Sequence, residues 1–131
     1  MPVTTIQVRT TYTPEQECAI IEAVQAALVE GLKIPLQDRH VLLVAHAPHR
    51  FIVPSALEQP ERFTAISIDA FPGRSIEAKR RLYQATVANL EPLGIPRNHV
   101  IITLRDIPLT DWGLRGGQAA CDVELGFNLN V

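Results

Sequence analysis

Apolar and polar residues alternate along two stretches of this chain, and a period of two is expected of strands that are buried on one side. The first stretch runs from Val3 to Val8 and the second from Phe63 to Ala70, and both contain several β-branched residues. In the first stretch the alternation places four residues on one face: Pro2, Thr4, Ile6 and Val8. We therefore predict two strands, each with one face turned toward a core.

Each predicted strand is followed by apolar residues at helical spacing. Thr13 and Gln16 have the spacing of a capping box, so the first helix is predicted to begin there, and Gly31 is predicted to end it. The second helix is predicted to begin after Ser75 as N-cap and to end at Gly94. Its predicted apolar face consists of Ile76, Leu82, Tyr83, Val87 and Leu90.

An Ile-Pro dipeptide follows each helix, and a further apolar segment follows each dipeptide. Ile34-Pro35 precedes the segment from His40 to Ala47, and Ile95-Pro96 precedes the segment from Val100 to Leu104. Because the segment from His40 to Ala47 is almost wholly apolar, it is predicted to be a strand that is buried on both faces. The order strand, helix, Ile-Pro, strand thus occurs twice, which indicates an internal duplication.

The duplication predicts a single domain over residues 1–131, with pseudo-repeats at 2–47 and 63–104 and a C-terminal tail at 105–131. Within the tail, the segment from Gln118 to Leu125 is predicted to form a short strand or hairpin, with pairing to a neighbouring subunit as one option. The predicted fold class is α/β (α+β), in which duplicated β-α-β units form a four-stranded mixed sheet. Right-handed crossovers place both helices on one face of that sheet.

The other face of the predicted sheet has no helix to cover it, although its strands carry apolar residues there as well. An apolar face of that size is rarely left exposed in a soluble monomer. We therefore predict self-association, in which the sheets of several subunits pack around a common core.

Composition narrows the class of protein. The chain has 131 residues, of which 47% are hydrophobic and 20% charged, so it can bury a core as one folded domain. Its net charge of −2 and the absence of a Lys/Arg run argue against nucleic acid as a partner, and no apolar run reaches the ~20 residues of a membrane span.

Cys18 and Cys121 stand alone and are predicted to be reduced, buried thiols of a cytoplasmic protein. No metal-ligand set or cofactor motif is evident, so no metal and no cofactor are expected.

The candidate chemistry begins at the dipeptide Met1-Pro2. Removal of the initiator methionine would leave Pro2 with a free secondary amine at the start of the first strand. An α-amino group titrates near pH ~8, so it can act as a general acid or a general base close to neutral pH. Pro2 is therefore the candidate catalytic residue, although Met-Pro is also a common way for a chain to begin.

Two charged residues are candidates for the same site. Arg74 lies at a predicted helix start, where the partial positive charge of the helix disfavours a cation unless an anion is near, so Arg74 favours an anionic substrate. Asp38 is either a turn or cap residue, or a carboxylate near Pro2 that keeps the amine protonated or orients a water. The residues alone leave both interpretations of Asp38 open.

These features together resemble the tautomerase superfamily and, within it, the malonate semialdehyde decarboxylases. The similarity rests on the Met-Pro start, the duplicated β-α-β unit and Gly73-Arg74-Ser75 at the second helix. It rests further on Asp38-Arg39, three residues after Pro35, and on Asp111-Trp112 in the tail. The resemblance implies a tautomerase-like fold, a homotrimer, and no cofactor.

The resemblance also implies a role for each of five residues. Pro2 and Asp38 would be catalytic, Arg74 would bind the substrate carboxylate, and Trp112 and Leu114 would form part of a hydrophobic wall. The family's second substrate-binding arginine lies two residues before Arg74, where this chain has Pro72. Three residues elsewhere are candidates for its replacement: Arg39, Arg62 and Arg115.

The function implied is a cofactor-independent reaction of a small anionic oxo acid. The first hypothesis is keto-enol tautomerisation by a neutral Pro2 amine. The alternative is decarboxylation of a β-oxo acid such as malonate semialdehyde by the protonated amine. A second alternative is a non-catalytic oligomeric binding protein in which Pro2 has no chemical role.

Overall fold

The computed structural model describes all residues, 1–131. Its elements in chain order are β1 (Pro2–Arg9), α1 (Pro14–Leu32), β2 (Val41–His46), β3 (Thr64–Ala70), α2 (Ile76–Leu90), β4 (Val100–Asp106), β5 (Gly113–Leu114) and β6 (Gln118–Ala119). Short 3₁₀ turns occupy parts of the connections. None of the helices combines the length and the apolar character that crossing a membrane would require.

The main sheet contains four strands in the order β2-β1-β3-β4. Pairing is parallel between β1 and β2 and between β3 and β4, and antiparallel between the two central strands β1 and β3. Both helices contribute to one hydrophobic core with the sheet, as in the cluster formed by Ile6, Leu28, Ile66 and Leu82. The prediction of a four-stranded mixed sheet with two helices on one face is confirmed.

The central and edge strands differ in burial. Residues of β1 alternate between buried and half-buried, with Pro2, Thr4, Ile6 and Val8 on the buried side as predicted. By contrast, no residue of β2 is fully buried, and Leu42 is 41% exposed. In the single chain the segment is not buried on both faces as predicted, because Leu42 lies on the sheet face that no helix covers and β2 has β1 as its only neighbour.

Helix α1 begins as predicted but ends later. The Thr13 side chain accepts from the Gln16 N–H while the Gln16 side chain accepts from the Thr13 N–H, which completes the capping box. The prediction that Gly31 ends the helix is wrong, because Lys33 adopts the left-handed conformation and closes it instead. Gly31 is buried within the last turn, where it lies against Leu82 of α2.

The apolar face predicted for α2 is only partly correct. Leu82 and Leu90 are fully buried, whereas Ile76 is 52% exposed in the first turn and Tyr83 and Val87 are half-buried. Small side chains supply the remaining buried positions: Ala78, Ala85 and Thr86. Helices in close contact favour small residues between them. The prediction considered only large apolar residues at helical spacing, so it did not include these small ones.

Substitution of Gly31 by alanine tests the close helix contact. A Cβ at this position would lie 2.6 Å from the Leu82 Cα, so the two helices would have to separate. We expect the free energy of unfolding to fall by about 1–3 kcal/mol in urea titrations at fixed protein concentration. The control is Gly113→Ala, whose Cβ would meet no atom within 4 Å and which should change stability by less than about 0.5 kcal/mol. Equal effects of the two substitutions would contradict the helix contact.

The face of the sheet opposite the helices carries polar as well as apolar residues. One row across the strands consists of Leu42, Thr5, Ser67 and Thr103. Ile101 on β4 is 50% exposed. The outer face thus carries the expected apolar residues, such as Leu42 and Ile101, but hydroxyl-bearing residues lie among them.

Two further predictions concern the cysteines and the tail. Cys18 and Cys121 are free thiols, but both are exposed rather than buried, since one lies on the solvent side of α1 and the other in a turn of the tail. Of the segment from Gln118 to Leu125, only Gln118–Ala119 forms a strand, and it pairs as a short antiparallel hairpin with Gly113–Leu114 of the same chain.

Candidate active site

The sheet topology brings four strand ends to one edge. Because β1 and β2 are parallel, their amino ends lie together, and the Thr4 N–H donates to the His40 carbonyl just before β2. Because β3 is antiparallel to β1, Pro2 pairs with Ala70 at the carboxyl end of β3. The carboxyl end of β4 lies beside that of β3. The N-terminus and the two loops that leave β3 and enter β2 therefore meet.

Asp38 is placed at the N-terminus. Its Oδ2 lies 2.7 Å from the Met1 ammonium nitrogen, which donates a hydrogen bond to it. The backbone of Asp38 is fixed twice: its N–H donates to the Pro35 carbonyl at 3.0 Å, and its carbonyl accepts from Gln25 Nε2 at 3.0 Å. Gln25 projects from α1 and is buried, so Asp38 is anchored to the helix layer as well as to its own turn.

Pro2 is buried at the start of β1, next to this ion pair. With Met1 attached, the Pro2 nitrogen is an amide and carries neither a proton nor a free lone pair for catalysis. Removal of Met1 would convert it to a secondary amine at the edge where Asp38 lies. The chemistry predicted for Pro2 therefore depends on that processing step.

A pocket of about 380 Å³ opens at this edge of the sheet. Its lining residues are Met1, Pro35, Gln37, Asp38, Phe71, Leu114, Arg115, Leu125, Gly126 and Phe127. Half of the lining is hydrophobic, and the charged groups are the terminal ammonium, the Asp38 carboxylate and the Arg115 guanidinium. No group of three or more His, Cys, Asp or Glu residues is arranged to hold a metal ion. A small acid with one apolar side fits this environment.

The two residues expected in the hydrophobic wall contribute differently. Leu114 lines the pocket directly, from the short strand β5. Trp112 lies behind the wall, with its ring edge-on to Phe71 at a centroid distance of 4.9 Å and its Nε1 donating to the Ile107 carbonyl at 3.0 Å. Phe71 lines the pocket together with Phe127, and Trp112 packs against Phe71 from behind.

Arg74 lies beneath the pocket rather than on its surface. The residue is 6% exposed, its Nη1 donates to the Phe71 carbonyl at 3.2 Å, and its Nη2 donates to the Leu32 carbonyl at 3.4 Å. Its Nε is buried without a protein partner. Burial lowers the pKa of the Arg74 guanidinium, and the Asp106 carboxylate partly opposes that effect. The guanidinium thus retains one unused donor.

The last residues of the chain cover Arg74. The Phe127 ring stacks over its guanidinium at 5.8 Å, and the Ser75 hydroxyl donates to the Val131 oxygen at 3.0 Å. A Cβ on Gly73, which has a φ of 122°, would lie 3.2 Å from the Leu129 carbonyl. The sequence predictions did not include this contribution of the tail. The pattern does carry a signal for it, because apolar residues alternate with polar residues or glycine and are half-buried at five positions: Val123, Leu125, Phe127, Leu129 and Val131.

The structure shows which of the three candidates for a second substrate-binding arginine lies at the pocket. Arg39 pairs with Glu22 on the exposed side of α1. Arg62 stacks over the Tyr12 ring at 5.0 Å and does not line the pocket. Of the three, only Arg115 lies in the pocket wall.

Comparison with known proteins identifies the family to which this chain belongs. A family described as "Tautomerase enzyme" matches residues 38–115. The structure of FG41 malonate semialdehyde decarboxylase inhibited by 3-bromopropiolate is 33% identical to this chain, with 89% of this chain and 92% of that chain covered and a TM-score of 0.78. A symmetric trimer of a wild-type fused 4-OT is 28% identical, with 91% and 96% covered and a TM-score of 0.79. A second malonate semialdehyde decarboxylase, at 22% identity, covers 89% of this chain and 93% of its own with a TM-score of 0.80, and it shows the shared fold. By its fold and by these similarities, the chain belongs to the tautomerase superfamily.

Proposed function

We propose that this chain is a cofactor-independent decarboxylase of a small β-oxo acid such as malonate semialdehyde, with the amine of Pro2 as its acid after Met1 is removed. The observation that carries the proposal is the position of Asp38, whose carboxylate lies 2.7 Å from the Met1 ammonium and so at the strand end where the Pro2 amine would be freed. It is supported by the 33% identity to a malonate semialdehyde decarboxylase over most of both chains.

In the proposed reaction, the protonated Pro2 amine donates a hydrogen bond to the carbonyl oxygen of the substrate. The bond between the carboxylate carbon and the α-carbon breaks, its electron pair moves into the polarised carbonyl, and CO₂ leaves. The resulting enolate, whose oxygen is stabilised by the hydrogen bond from the ammonium, then takes a proton from water at the α-carbon to give the aldehyde. A carboxylate beside the amine favours its protonated form, so Asp38 supports this role.

Arg74 is the proposed contact for the substrate carboxylate, with Leu114 and the Phe71–Trp112 pair as the apolar wall. The buried Nε of Arg74 has no protein partner, so it is available as a donor. An anion can reach it only when Phe127 is displaced from above the guanidinium. Guanidinium groups bind carboxylates through paired hydrogen bonds, which would also orient the group that leaves.

Keto-enol tautomerisation is the second candidate, and the similarity to fused 4-OT favours it. In that reaction a neutral Pro2 amine takes a proton from the carbon next to a carbonyl and returns it to another atom of the same substrate. The pocket and the anion-binding groups would be the same. The two reactions differ in the protonation state that Pro2 needs.

Self-association as a homotrimer is part of the proposal. The apolar residues Leu42 and Ile101 support it, because they are exposed on the face of the sheet that no helix covers. A similar fused 4-OT is a symmetric trimer. A non-catalytic oligomeric binding protein would share this assembly but would turn over no oxo acid.

The pH dependence of turnover distinguishes the candidates. Malonate semialdehyde, 2-hydroxydienoates and phenylenolpyruvate are supplied to tag-free protein whose intact mass confirms a free Pro2. Decarboxylation by a protonated amine should decline as the pH rises through the titration of the amine, near pH ~8 for an unperturbed group, whereas tautomerisation by a neutral amine should increase. The absence of turnover on all three substrate types would contradict both reactions, and only the hypothesis of a non-catalytic binding protein would remain.

A further inference from the structure

Arg115 carries a charge that the protein does not neutralise. It lines the pocket, and its Nη1 donates to the Glu124 carbonyl at 2.6 Å. No carboxylate lies within ion-pair distance of its guanidinium, unlike that of Arg39, Arg97 or Arg105. The backbone carbonyl fixes one end of the guanidinium and leaves its other N–H donors free.

The backbone at Arg115 is strained. It has a φ of 49° at the first position of the loop between β5 and β6, and Gly116 and Gly117 follow with φ values of 81° and 90°. Glycine is the residue that adopts this conformation without steric strain, whereas arginine is disfavoured there. Gln118 stabilises the turn because its Nε2 donates to the Arg115 carbonyl at 2.9 Å. A strained residue beside a pocket points to a role for its side chain.

The guanidinium groups of Arg74 and Arg115 lie at different depths relative to the pocket. Arg74 is buried beneath Phe127, while Arg115 is exposed at the pocket wall on which Phe127 also lies. Phe127 therefore separates a buried cation from an accessible one. An incoming carboxylate meets Arg115 first, before any movement of the tail.

We propose that Arg115 binds a carboxylate of the substrate and makes the pocket selective for small anionic oxo acids. The inference rests on the proposed function for the identity of the substrate, but the binding of the anion does not require turnover. It assigns to the β5–β6 loop the second cation that Pro72 cannot supply.

Malonate, which is anionic and unreactive, is the probe for this role. Its dissociation constant is measured by calorimetry on the full chain with Pro2 free, for wild type, Arg115→Gly, Arg115→Gln and Arg115→Lys. Both uncharged variants should bind malonate at least about tenfold more weakly, because a charge-assisted hydrogen bond is lost, and lysine should restore part of the affinity. Arg115→Gly also relieves the backbone strain, so its melting temperature should equal or exceed that of wild type.

Arg62→Gln is the matched control, since it removes the same charge from a residue outside the pocket. Its affinity for malonate should stay within about twofold of wild type if local contact, and not net charge, decides binding. The inference is overturned if Arg115→Gly and Arg115→Gln bind as wild type does, if Arg62→Gln loses as much affinity as they do, or if wild type does not bind malonate.

The same variants separate this inference from the proposed function. If wild type turns over no oxo acid but binds malonate in an Arg115-dependent way, the proposed function fails and the inference stands. If decarboxylation is observed and Arg115→Gly leaves KM unchanged, the proposed function stands and the inference fails. The expected result is a KM at least about tenfold higher with kcat within about threefold.

Discussion

Conversion of Asp38 to asparagine is expected to lower kcat/KM for the oxo acid by about 100-fold. The Asp38 carboxylate lies 2.7 Å from the Met1 ammonium, at the strand end where removal of Met1 frees the Pro2 amine. An asparagine amide has the same shape but carries no charge that favours a protonated amine. The fold should be retained, because the turn is held by the backbone bonds to Pro35 and Gln25, which the substitution leaves in place. A partly exposed ion pair contributes at most about 1 kcal/mol to stability.

The measurement is steady-state decarboxylation of malonate semialdehyde, with thermal unfolding as the check on folding. Glu22→Gln is the control, because it removes a carboxylate that pairs with Arg39 away from the pocket. It should leave kcat/KM within about twofold of wild type. If Asp38→Asn keeps more than half of the wild-type rate, the catalytic role of Asp38 is wrong and its function is to close the turn.

The sequence pattern predicted the arrangement of the sheet because period-two strands and capped helices are local features. Asp38 and the N-terminus are 37 residues apart, yet parallel pairing of the first and second strands is enough to bring them to one edge. The residue types on that edge could be anticipated from topology. Their distance could not, since it depends on the Pro35 turn and the bond from Gln25.

Tertiary contacts account for the predictions that were wrong. Glycine often ends a helix, but Gly31 lies within α1, where its lack of a side chain allows close contact with Leu82. The apolar segment of β2 fits a central strand or an edge strand equally well, and only the strand order decides between them. The anion-binding role of Arg74 stays a prediction, and the position of Phe127 over its guanidinium depends on how the tail folds back onto α2. No local pattern encodes such a contact.

A free nitrogen on Pro2 is expected to have the largest effect on activity of any feature of this chain. Retention of Met1 turns that nitrogen into an amide, which cannot act as an acid or a base near neutral pH. The Met1 amine would still contact Asp38, but it lies one residue further from the buried start of β1. We expect the Met1-bearing form to be at least about 100-fold less active than the form that begins at Pro2.

The most direct test compares two preparations of this one chain, identical except that one begins at Pro2 and the other keeps Met1, each verified by intact mass. The decarboxylation rate of malonate semialdehyde is measured for both at the same pH and protein concentration. The proposed mechanism predicts turnover by the Pro2-terminated protein and a loss of about 100-fold or more when Met1 is present. Equal rates from the two preparations would contradict it.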